Sequence, residues 1–125
     1  MKRKLLFSLL LATVLFTYQS VAQINTPLPS PKAKTESTVG LTDISISYFR
    51  PSVKGRAIFG EGNDYLQPYG QLWRAGANSG SVLSLSTDVK IAGKEVKAGD
   101  YLIFMTPGKD MWEFKLYTDL SLGGN

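Results

Sequence analysis

Cysteine and histidine are both absent from the 125 residues. Without cysteine no disulfide can staple the fold, so a core of side chains must hold it. Without histidine the chain lacks the commonest general base, the commonest metal ligand and the side chain that switches charge near neutral pH. Nucleophile–base pairs of the Cys–His or Ser–His kind are therefore excluded. Excess charge of one sign is also scarce. Lysine and arginine number 14 against 10 acids, and three of the basic residues are Lys2, Arg3 and Lys4. Beyond them 11 cations face 10 anions. Binding to a nucleic-acid backbone needs a large basic excess, so nucleic acid is not an expected partner.

Long apolar runs are limited to one. Leu5 to Phe16 is apolar apart from Ser8 and Thr13, follows the basic start, and leads to Ser20-Val21-Ala22. This order of a basic, an apolar and a small-residue region predicts a secretory signal peptide over residues 1–22, cut after Ala22. The run is shorter than the ~20 residues that a membrane span needs, and no cysteine follows it to carry a lipid. The expected location is periplasmic or extracellular, with no membrane span in the mature chain. Residues 23–125 suffice for one domain.

Present in quantity are prolines, glycines and alternating strands. Pro27, Pro29 and Pro31 make residues 23–40 a Pro-rich lead-in, extended and without a core of its own; its polar end, Lys34 to Gly40, reads as an edge strand or a loop. In Thr42–Phe49, Ile44, Ile46 and Tyr48 alternate with polar residues, the period of a half-buried strand. Residues 82–86, 101–106 and 111–118 read as further strands. Tyr101–Thr106 is apolar enough to be central. Ala92-Gly93 predicts a tight hairpin turn between two short strands. Short strands with turns about every ten residues predict an all-β fold over residues 41–125, an antiparallel, jelly-roll-like β-sandwich. Five or six strands are few for two layers, so strands beyond Asn125 are expected to complete it.

Between Tyr48 and Asn78 the pattern turns irregular, with Ala57–Phe59 a short strand and a helical turn within Tyr65–Trp73. Arg50, Lys54, Arg56 and Arg74 fall here, with Trp73 and Asn78. If the loops converge, the cations make a pocket for a carboxylate, sulfate or phosphate, since a guanidinium donates two parallel hydrogen bonds to such groups. Each arginine can equally pin irregular backbone by donating to carbonyls. Trp73 offers a sugar a stacking surface or plugs the core, and Asn78 binds or caps a turn. The oxygens of Glu61, Asn63 and Asp64 suit calcium in kind but are too few for a site; no metal and no cofactor is expected. No catalytic set emerges: Ser79 and Ser81 have no base beyond a lysine, and two-carboxylate chemistry would have Glu61 or Asp64 meet a distant acid. Three functions stay open. They are a binding domain for a small anionic or carbohydrate ligand, an envelope component or a protein; an acid-based hydrolase of envelope or glycan material; and a purely structural domain.

The order Tyr48-x-Arg50-Pro51-x-Val53-Lys54-Gly55-Arg56-x-Ile58-Phe59-Gly60, then Trp73-Arg74-x-Gly76-Ala77-Asn78, Ile91-x-Gly93-Lys94 and Ala98-Gly99-x-Tyr101, resembles the exported bacterial domain-of-unknown-function family 2911. The resemblance covers residues 28–118, with Ala75 where members carry threonine. It implies a secreted or periplasmic β-rich domain without an established activity, and further strands after the last one here.

Overall fold

The computed structural model describes residues 26–124; the signal-peptide reading of residues 1–22 lies outside them. Ten strands follow in order: β1 Lys32–Val39, β2 Thr42–Phe49, β3 Phe59–Gly60, β4 Gln67–Pro68, β5 Trp73–Arg74, β6 Ser81–Leu85, β7 Val89–Ile91, β8 Lys94–Val96, β9 Gly99–Thr106 and β10 Glu113–Tyr117. A single 3-10 turn, Leu120–Gly123, comes last, capped by Asp119, whose carboxylate accepts from the Ser121 N–H. The fold is all-β, as the alternation predicts.

Five strands form one antiparallel sheet in the order β1-β2-β6-β9-β10, and β5 adds to β9 beyond the end of β6. Register decides what each face carries, because residues paired across a ladder share a face. Ile44 faces Leu85, Ile46 faces Leu83, Leu83 faces Tyr101, and Met105 faces both Phe114 and Trp73. One face is therefore apolar from β2 to β10. Ala75, Leu83, Leu85 and Ile103 are its buried centre. The opposite face carries Lys34, Ser45, Ser84, Asp100 and Lys115, but also Val82, Phe104, Tyr117 and Leu102, the last at 0% exposure. The 3-10 turn packs there, and Gly123 lies against Leu102.

The apolar face is covered unevenly. Over one end lies the β7–β8 hairpin, whose Val89, Ile91 and Val96 pack on the buried centre. Its turn is Ala92-Gly93, with φ of 48° and 79°; two successive positive values match the twist of a tight hairpin. Lys97 Nζ and the Ala98 N–H both donate to the Asp88 carboxylate, each at 2.8 Å, and lock the hairpin's base. At the other end Phe59 of β3 meets Trp73 edge-on, with centroids 5.2 Å apart, and Trp112 at 4.8 Å. Between the two covered ends the face is open.

One open local expectation resolves and another changes. The lead-in is sheet from Lys32 onward, and its polar end is the edge strand β1, joined to β2 by a two-residue turn at Gly40-Leu41. The helical turn within Tyr65–Trp73 does not form. Leu66, Gln67 and Tyr69 donate to the carbonyls of Ala57, Ile58 and Gly60 instead, pairing β3 with β4 in parallel. Pro68 has no N–H for a helix, and long-range partners satisfy its neighbours. Gly60 has to be glycine, since the ring of Tyr65 occupies the space of any β-carbon there.

Candidate functional site

The six residues singled out from the sequence divide among three places. Lys54 and Arg56 come together. They line a groove of about 320 Å³ with Pro29, Ser30, Pro51 and Ser52. Pro51 ends β2 by withdrawing a donor, and the chain then turns through Lys54 at φ 51° and Gly55 at φ 70°. Arg56 fixes that turn. Its Nε donates to the Val53 carbonyl at 3.0 Å, its Nη2 to the Ser52 carbonyl at 2.7 Å, and its backbone N–H also reaches Val53. The guanidinium is held by backbone on one side, and Nη1 keeps its donors. Pinning and anion binding, weighed as alternatives for this arginine, are compatible in one side chain.

Asn78 stands beside this groove. It takes φ 50° and reaches the Ser30 carbonyl through Nδ2 at a long 3.5 Å. The Arg50 N–H donates to the Pro31 carbonyl at 3.0 Å. The Pro-rich lead-in is thus tied down at two points and forms a wall of the groove, a role its composition does not announce.

The Arg50 side chain belongs to a second place. It is the one charged residue in the lining of the open trough on the apolar face, about 520 Å³, whose floor includes Ile46, Trp73, Ile103 and Met105 and whose rim includes Phe114. Trp73 serves as core here. It is half-buried and sits edge-on to Phe59 and, at 6.5 Å, to Trp112. Trp112 was the missed partner; its place two residues before Phe114, in phase with Phe114 and Leu116, was the signal.

Arg74 is in a third place, on the opposite face. Strand alternation sends its side chain away from Trp73, and its aliphatic stem runs past Gly80, where a β-carbon would lie 3.1 Å from Cδ. A shared pocket of all four cations therefore does not form; β5 alone places Trp73 and Arg74 on opposite faces. Glu61 and Asp64 are exposed on the loop after β3. Asp64 lines a neighbouring trough with Arg56, Asn63 and Tyr65. Among the described residues no group of three or more acids is placed to hold a metal ion, and no helix is long and apolar enough to cross a membrane.

The family described as "Protein of unknown function (DUF2911)" matches residues 30–125. The chain belongs to this family. The match begins at Ser30, in the wall of the Lys54–Arg56 groove, and runs through every strand of the sheet. No curated protein and no solved structure matches the chain. DUF2911 membership therefore brings no activity with it, and the site has to be read from its own chemistry.

Proposed function

We propose that this is an exported, non-catalytic β-domain that binds a small anion, such as a sulfate, phosphate or carboxylate group, in the Pro51–Arg56 loop. The observation that carries the reading is the pairing of Lys54 with an Arg56 already fixed by two carbonyls, in a groove with no acid in its lining. A cation held in place before binding loses little side-chain freedom on contact, which favours affinity. A planar guanidinium and a mobile ammonium together suit a tetrahedral or planar oxyanion. The carbohydrate alternative has less support, because both flanking aromatics engage Trp73. The hydrolase alternative has less support, because Asp64 is the one acid in the trough that it lines with Arg56, and two carboxylates are needed. Export rests on the basic, apolar and small-residue order of residues 1–22.

Calorimetric titration with sulfate and with inorganic phosphate tests the binding. Saturable binding is expected, weakened about three- to tenfold by Lys54→Ala with an unchanged melting temperature. No binding of either anion, or binding indifferent to Lys54→Ala, overturns the reading. The N-terminal residue of protein recovered outside the cytoplasm tests export; Gln23 is expected.

A further inference from the structure

Arg56 belongs to two hollows. It lines the groove with Lys54, and it also lines the trough of about 450 Å³ that holds Asn63 and Asp64. The two adjoin at this residue. The second hollow has a firm frame. The Leu66 N–H donates to the Ala57 carbonyl at 3.0 Å and the Gln67 N–H to that of Ile58 at 2.8 Å, so the loop between them is closed at its base. The ring of Tyr65 lies over Gly60, in the space a β-carbon would take. Asn63 and Asp64 ride on that closed loop.

Charge changes sign along this path. Lys54 and Arg56 line the first hollow, and Asp64 is the one acid in the lining of either. All three are exposed. Among the described residues, ion pairs join Lys34 to Glu36, Lys97 to Asp88 and Lys115 to Glu113, and none of the three takes part in one. Arg56 and Asp64 thus share a trough without reaching each other. Arg56 is held back by its bonds to the Ser52 and Val53 carbonyls, and would have to give up both to swing across. A plain anion bound at Arg56 has Asp64 nearby, a like charge that weakens it. A cationic group at the far end of the ligand turns that repulsion into attraction. An ammonium brings three donors, which the Asp64 carboxylate and the Asn63 side-chain carbonyl can accept.

We propose that the two hollows are one site for a small zwitterion, its oxyanion on Lys54 and Arg56 and its ammonium on Asp64 and Asn63. The proposal rests on the anion reading above and names the ligand class for it.

NMR chemical-shift titration tests this, in low salt, where exposed charges are least screened. The probes are aminoethyl, aminopropyl and aminobutyl phosphate, each against the ethyl, propyl or butyl phosphate of the same length. At one length or more the amine should tighten binding about two- to fivefold, the scale of an exposed ion pair. Asp64→Asn should remove that gain, leave inorganic phosphate bound as tightly or slightly more tightly, and keep the melting temperature. Lys54→Ala should weaken amine and alkyl probes alike. An amine without gain at every length, a gain that survives Asp64→Asn, or a hydroxyalkyl phosphate that matches the amine overturns the proposal; binding of inorganic phosphate that depends on Lys54 would then leave the anion reading standing. No binding of any phosphate removes both.

Discussion

The end of the apolar face under the β7–β8 hairpin and the open trough beside it share one sheet and one alternation, yet only the covered part is dry. Leu83 and Leu85 lie under the β7–β8 hairpin and are buried, whereas Ile46, the cross-strand neighbour of Leu83, is 37% exposed at the edge of the trough. Neighbours of equal hydrophobicity thus differ in what lies above them. Alternation decides which way a side chain points; the covering layer decides whether pointing that way removes it from water. Stability should follow the cover.

The largest effect is expected at Ile103, 3% exposed in the buried centre. Ile103→Ala should cost about 3–4 kcal/mol by chemical denaturation, from lost transfer energy and a cavity that its neighbours cannot fill. A loss under about 1 kcal/mol would mean that the buried centre is not packed as described. Trp73→Ala should come next, at about 2 kcal/mol, since the half-buried indole leaves Phe59 and Trp112 without their shared neighbour. Ile46→Ala should cost less than about 1 kcal/mol; an effect equal to that of Ile103→Ala would erase the distinction between the buried centre and the trough's exposed edge.

The smallest expected effect is electrostatic, at the base of the covering hairpin. The hydrogen bond from Lys97, then that from the Ala98 N–H, holds the Asp88 carboxyl below its usual value, and the Asp88 carboxylate holds Lys97 above its usual value. For a depressed carboxyl the stabilisation is present above the unfolded-state pKa and is lost as pH falls through the lower folded-state value. For the raised lysine it is present below the unfolded-state pKa and fades as pH rises through the folded-state value. The contribution should therefore span the range between these limits and vanish in Asp88→Asn. Carbon-13 NMR titration of the Asp88 carboxyl should give a midpoint below the ordinary aspartate value.

The regular half of the fold was legible in the sequence because its signals are local. The alternation of Ile44, Ile46 and Tyr48 and the Ala92-Gly93 turn act within a few residues. β1 was harder, since Lys32–Val39 takes its strand form from pairing with β2 more than from its own polar residues. The short strands β4 and β5 owe their geometry to partners outside themselves, Ile58 and Met105, which their own two residues do not announce. The candidate site was half legible. Lys54 and Arg56 sit two residues apart on one turn, and nearness in sequence brought them together. Arg74 is remote in sequence, and the handedness of a single strand position sent it to the far face. Trp73 illustrates the same limit, because only Phe59 and Trp112 together make it part of the core.

The wall that Pro29 and Ser30 supply has a consequence for trimming of the chain. A peptidase that trimmed the chain up to Lys32 would leave every ladder intact while stripping one side from the groove beside Lys54. Such a shortened product would melt like its parent and yet, on the proposed reading, bind anions more weakly, so the start of the chain would tune the groove without touching the sheet.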